Sequence, residues 1–314
     1  MDLLSDSRKV VYPLKYPDIF ARYEQQLQCF WTPYEIDFSQ DKKDFKTLEA
    51  SEQAYILQVL TFFAASDSAV LSNLLQQFIG EFEAMECKLF FGIQAAIEGV
   101  HSHVYSLMLN ELAGERREAL ISQIHEGPLH QKIAWCENWF THPEKDKERN
   151  MAIRVLAWAC TEGIMFSASF ASVFWLRTKG SICPGILKSN EFIARDEGLH
   201  RDFGIHLLTT HFKRLPQALV HDVVRGAVDV EQAWVDSVLP EGLVGMNHKL
   251  LRRHVEFTAN HLLESLGYDP LYDAKETFPF MMSISLEGKS NFFEQRVSEY
   301  AVAKVDAFSM DEEF

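Results

Sequence analysis

Two copies of one short pattern constrain this chain more than anything else in it: Glu98-Gly99-Val100-His101 and Glu197-Gly198-Leu199-His200. Each sets a carboxylate and an imidazole three residues apart, in a stretch whose apolar spacing reads as helix. At about 100° per residue the two side chains lie about 60° apart and one turn along, so both can grip one metal ion. A single Glu-x-x-His on a solvated helix is a common accident. Two of them, each within a mostly apolar helix, put four charged or ligating groups where burial without a cation is costly.

Two further acids complete a set. Asp67 lies in Phe62-Phe63-Ala64-Ala65-Ser66-Asp67, and Glu162 in Ala159-Cys160-Thr161-Glu162-Gly163-Ile164. A Glu-x-x-His from each of two helices, with one carboxylate from each of two others, is the two-metal carboxylate site of ferritin-like helical bundles. The expected ligands are therefore Asp67, Glu98, His101, Glu162, Glu197 and His200. Four carboxylates and two divalent cations cancel, so the reduced site can be buried nearly neutral.

The rest of the chain suits such a bundle. Phe is abundant, with 24 in 314 residues, against only 15 Gly and 10 Pro, which favours long uninterrupted helices. Helical patterns run from about Thr47 towards Phe82, Glu83 to Leu112, Glu115 to Phe140, Asn150 to Arg177, Leu187 to Phe212, Pro216 to Val238 and Asn247 to Leu266. Residues 1–45 read as an irregular N-terminal segment packed on the bundle, with Pro13, Pro17 and Pro33 as helix breakers. The helical domain covers 46–270. Residues 271–314 read as an extended segment ending in a flexible, acidic and partly apolar tail. The expected fold is all-α.

Val155 to Leu176 is apolar enough and long enough to span a bilayer, and no other segment resembles a span. Its one charge, Glu162, would be expensive at the bilayer centre, and a helix apolar on every side can equally be the central helix of a large bundle. No membrane is expected. A net charge of −15 argues against nucleic acid and anionic lipid as partners. The cysteines Cys29, Cys87, Cys136, Cys160 and Cys183 are scattered and odd in number, as reduced thiols of a cytoplasmic protein would be. The first residues, Met1-Asp2-Leu3-Leu4-Ser5-Asp6, show no basic region leading into an apolar one.

Around the expected metals, Tyr105 follows Glu98 by seven residues, about 20° from the same face and roughly 10 Å along the helix. A phenol there is placed to be oxidised. Phe166 and Phe170 follow Glu162 by four and eight residues and Ile193 precedes Glu197 by four, so they can wall a dry cavity. Asp196 points about 100° away from Glu197 and suits a carboxylate that accepts a hydrogen bond from a ligand histidine. His103, His206, His211 and His254 show no comparable pairing with acids and are expected to be structural or surface residues.

At these residues the sequence resembles the small, radical-generating subunit of class I ribonucleotide reductase, in its eukaryotic and viral branch. Tyr16-Pro17-Asp18-Ile19, Phe30-Trp31-Thr32, the segments around Asp67 and Arg195-Asp196-Glu197, Ser189-Asn190-Glu191 and the run Ile284 to Glu294 carry the likeness. It implies two iron ions, with Asp67, Glu98 and His101 on one and Glu162, Glu197 and His200 on the other; a manganese–iron pair fits Tyr105 less well. It also implies a stable radical on Tyr105, formed with dioxygen. Trp31, Asp196 and His101 match a hydrogen-bonded path for radical transfer, and Tyr300 the tail tyrosine that relays it onward. Phe308 to Phe314 would dock into the large subunit, which reduces ribonucleotides to deoxyribonucleotides, and the small subunit would be a homodimer. About a dozen residues follow Tyr300, a shorter tail than in many such subunits, and their usual N-terminal extension is almost absent.

Two other readings share the ligands. A ferritin-like oxygenase or desaturase would act on an organic substrate in its own pocket, without needing Trp31, Tyr105, Tyr300 and the tail together. An iron-storage bundle would be about half this length. No nucleotide-binding motif of the chain's own is visible.

Overall fold

The computed structural model describes residues 2–239, 243–278 and 280–281. Tyr300, the docking segment Phe308 to Phe314 and the run Ile284 to Glu294 lie outside them. Among the described residues every regular element is helical. The main helices are α1 (Pro17–Gln28), α2 (Ala50–Asn73), α3 (Met85–Leu112), α4 (Gly127–Phe140), α5 (Lys147–Cys160), α6 (Ser167–Phe174), α7 (Pro184–His206), α8 (Gln217–Val238) and α9 (His248–Ser265).

At the centre runs the continuous stretch formed by α5, a π turn at Thr161–Met165, α6 and a 3-10 turn at Trp175–Lys179. Every residue from 151 to 176 is buried. The covering helices α7, α8, α9 and α4 lie on its several sides, which is why it is apolar all round. Its buried Arg154 donates to Glu81 Oε2 at 2.8 Å and Gln77 Oε1 at 2.7 Å. The Ala50–Glu81 helix is also long and apolar enough to cross a membrane, a match that the sequence-based expectation of a single such segment passes over. Its partner along most of its length is α3.

Two expectations need correction. Residues 1–45 are not uniformly irregular, because α1 occupies Pro17–Gln28. Pro17 stands in its first turn, where a missing N–H costs nothing and the fixed φ suits the helix. The segment is held on α3 by the buried Glu86, which accepts from Arg8 Nη2 at 2.5 Å and from the backbone N–H groups of Lys15 and Tyr16 at 2.8 and 3.2 Å. The helix expected from Glu115 to Phe140 is in fact broken: Glu126 is extended and Gly127 takes φ +64°, so α4 starts afresh beside Pro128.

The start of α7 is capped from a distance. The Asp41 carboxylate accepts from Gly185 N–H at 3.0 Å and Ile186 N–H at 2.7 Å, two of the donors that a helix N-terminus leaves unpaired. A β-carbon on Gly185 would lie 2.6 Å from the Asp37 carbonyl oxygen, so the close approach requires glycine.

Candidate metal centre

Four rods deliver the six expected ligands. Asp67 comes from α2, Glu98 and His101 from α3, Glu162 from the π turn after α5, and Glu197 and His200 from α7. None is more than 4% exposed. The π turn matters for Glu162, since its inserted residue changes the direction of the side chains in an otherwise regular run.

Glu98, Glu162, Glu197 and His200 each offer a ligand atom within 4.8 Å of all the others. His200 Nδ1 lies 3.1 Å from Glu98 Oε1, 3.1 Å from Glu197 Oε2 and 3.9 Å from Glu162 Oε2. His101 borders this quartet, its Nδ1 3.1 Å from Glu197 Oε1 and 3.5 Å from Glu98 Oε2. Asp67 is outside the tight quartet but inside its field, coupled electrostatically to Glu98, His101, Glu197 and His200.

The donor set fits a pair of divalent cations. Both oxygens of Asp67, and Glu98 Oε2, Glu162 Oε2, Glu197 Oε1 and His200 Nε2, are buried and make no hydrogen bond. Native interiors rarely leave so many polar atoms together without partners. The protonation pattern of the protein alone points the same way. Burial, then the charge of Glu98, drives the Asp67 carboxyl well above its ordinary range, and burial and Glu197 do the same to Glu162. At Glu197 burial is outweighed by the neighbouring Glu162, His101 and His200, which hold it low. Carboxylates crowded this closely hold a shared positive charge far better than they hold one another.

Behind His101 stands Asp196. Its Oδ2 is 3.2 Å from His101 Nε2 and accepts the Trp31 indole N–H at 2.7 Å. Arg195 holds the other oxygen at 2.8 and 3.1 Å. Burial pushes Asp196 up, but Arg195 and His101 outweigh it and keep the carboxylate ionised. An ionised Asp196 accepts from Nε2–H, which leaves Nδ1 of His101 directed at Glu98 and Glu197. Trp31 is 3% exposed.

Tyr105 is fully buried. Its ring stacks on Phe63 at 4.6 Å and 4°, its hydroxyl donates to Asn190 Oδ1 at 2.9 Å, and burial followed by the charge of Asp67 raises its pKa. Phe63 in turn touches Phe166 and Phe170, at centroid distances of 5.8 and 4.8 Å. Ile193 is fully buried on α7.

Three site residues are missing from the expected set. The Trp158 indole N–H donates to Glu162 Oε1 at 2.5 Å, and Gln94 Nε2 bridges that oxygen and Glu98 Oε1 at 3.3 and 3.2 Å. Asn190 is the third. Trp158 and Gln94 each precede a ligand by four residues, the one sequence signal that would have found them.

A model of the family described as "Ribonucleotide reductase, small chain" matches residues 8–279. The chain belongs to the ribonucleotide reductase small-chain family. Among curated members it is 41% identical to the ribonucleoside-diphosphate reductase small chain of Nicotiana tabacum, over 99% of this chain and 96% of that one. It is 40% identical to ribonucleoside-diphosphate reductase subunit M2 of Danio rerio, over 98% and 79% of the two chains. Among solved structures, the ribonucleotide reductase Rnr4 homodimer from Saccharomyces cerevisiae superposes with a TM-score of 0.80 at 31% identity, covering 95% of this chain and 91% of that one. The helical architecture of this ribonucleotide reductase small chain is thus the ferritin-like one expected from its paired motifs.

Proposed function

We propose that this chain is the radical-generating small subunit of ribonucleoside-diphosphate reductase, with a di-iron centre in the site above and Tyr105 as the residue that stores the oxidising equivalent. The observation that carries the reading is the dry quartet of Glu98, Glu162, Glu197 and His200, with His101 and Asp67 at its border and a buried phenol in its field. Two iron ions bound there would supply, from dioxygen, the oxidising power that a protein side chain lacks.

The chain's own groups do the rest. Phe63 and Asn190 fix the Tyr105 ring and hydroxyl, and the apolar neighbours Phe166 and Phe170 keep water from the Phe63 side. The Tyr105 hydroxyl proton is held by Asn190 Oδ1, and Asp67 is the charge that acts on the phenol most after burial. The row Trp31 Nε1, Asp196 Oδ2 and His101 Nε2 joins the site to the N-terminal segment by two hydrogen bonds. Along that row an electron can leave Trp31 while its proton stays shared with Asp196. Tyr300 would continue the relay, and Phe308 to Phe314 would dock into the large subunit, where the ribonucleotide is reduced.

The yeast structure is that of a homodimer, which supports the same assembly here. All five cysteines are buried and none is in a disulfide, which supports a reducing, cytoplasmic setting. Manganese is the competing metal, because oxygen and imidazole donors accept both.

Electron paramagnetic resonance after aerobic iron loading tests the reading. An organic radical signal is expected in the wild type and none in Tyr105→Phe at equal iron content. A signal of equal size in Tyr105→Phe would place the radical elsewhere and overturn the assignment.

A further inference from the structure

On the opposite end of α7 from its capped start, three side chains meet that the redox site does not use. His206 closes α7, His211 closes the π turn Leu207–His211 that follows it, and Asp18 lies in the first turn of α1. Both imidazole Nε2 atoms lie 2.7 Å from the same oxygen, Asp18 Oδ2. Sequence spacing shows no acid paired with these histidines because Asp18 is 188 residues from His206 and 193 from His211.

The helix is remodelled to make this meeting possible. Residues five apart on a regular α-helix point about 140° away from each other. Here Phe212 N–H reaches back five residues to the Leu207 carbonyl at 3.0 Å, and this wider register brings His211 round beneath His206. Their rings end 5.4 Å apart.

We propose that Asp18, His206 and His211 form a second metal site, for a single zinc-class divalent cation, distinct from the buried pair. One ligand atom from each lies within 4.8 Å of the other two. Two imidazoles and a carboxylate are a donor set for zinc, and three protein ligands leave one tetrahedral position for water. Asp18, 40% exposed in its side chain, leaves that position open to solvent, while the histidines at 15% and 14% are well sheltered. Donors on one zinc ion stand about 3.3 Å apart, so the Asp18 contacts must open by roughly half an ångström.

Two further details suit metal binding. His206 Nδ1 lies 3.4 Å from the Thr210 hydroxyl, an acceptor for the Nδ1–H tautomer that frees Nε2 for the ion. Burial holds the His206 imidazole below its ordinary pKa, so it is neutral near pH 7. The nearby positive group, Arg22, shares its field between Asp18 and Asp202. An ion here ties α1, which leads into the Trp31 segment, to the helix that carries Asp196, Glu197 and His200.

The test uses iron-filled protein, so that the buried pair is already occupied, and titrates Zn²⁺ with metal analysis after desalting. Wild type is expected to keep one zinc per chain, and His206→Gln and His211→Gln to bind it at least about tenfold more weakly with iron content unchanged. Diffraction at the zinc edge locates the ion without any variant. A zinc peak between Asp18, His206 and His211 supports the site; zinc found only elsewhere, or bound equally by the variants, overturns it.

Discussion

At Glu162 two neutral donors, the Trp158 indole and the Gln94 amide, share a single carboxylate oxygen. That leaves Oε2 for the metals and fixes which way the carboxylate can swing. Trp158→Phe keeps the ring contacts with Phe78 and Phe91 but deletes the N–H. The expected cost is about 1–3 kcal/mol, read by urea unfolding of the metal-free chain; an unchanged midpoint would mean that the indole contributes only its ring. Elsewhere the buried pair Lys132–Glu231 sits against the faces of Phe62 and Trp234, with Lys132 Nζ 3.2 and 4.2 Å from their centroids. Burial, ahead of the mutual attraction, lowers Lys132 from 10.5 to about 8 and raises Glu231 from 4.5 to about 7. The contribution of Glu231 to stability is therefore full below pH 4.5 and lost as pH rises through about 7. That of Lys132 is full above pH 10.5 and lost as pH falls through about 8. The double variant Lys132→Met with Glu231→Leu should gain on wild type as pH rises from 5 towards 7.5 in denaturant titrations. An identical pH profile would show that the pair carries no such penalty. The six candidate ligands were legible in the sequence because acids and histidines at helical spacing in apolar runs are costly to bury unless a metal holds them. The contact of Asn190 with Tyr105 was not, since the spacing within one helix says nothing of a partner on another.

Among the elements, the long helices follow from apolar periodicity, and the differences lie where local chemistry has two meanings. Proline reads as a breaker, yet Pro17 starts α1. The π turns at Thr161–Met165 and Leu207–His211 occupy runs that periodicity alone reads as plain helix, because an inserted residue changes no composition. The cap of α7 comes from Asp41, far from it in sequence, and so escapes any rule based on neighbouring residues. Gly185→Ala should destabilise the chain by about 1–3 kcal/mol, since the new methyl meets a carbonyl oxygen at 2.6 Å. Equilibrium unfolding checks this, and a neutral result would mean that the Asp37 segment yields freely.

Over the whole molecule, helices from distant parts of the chain bury mutually repelling carboxylates at one point. An arrangement so costly in itself is best answered by bound cations. Enclosing that point takes apolar surface on every side, and so helices long enough to cross a membrane are found packed inside the bundle. Fold and metal site were readable together because the same residues specify both. The proposed function would extend that to the chemistry, through Tyr105 and the hydrogen-bonded Trp31–Asp196–His101 row. The most direct test is an anomalous difference map recorded at the iron edge on crystals of the iron-loaded chain. Two peaks are expected, both enclosed by Asp67, Glu98, His101, Glu162, Glu197 and His200. A single peak there, or iron found only outside this set, would contradict the account.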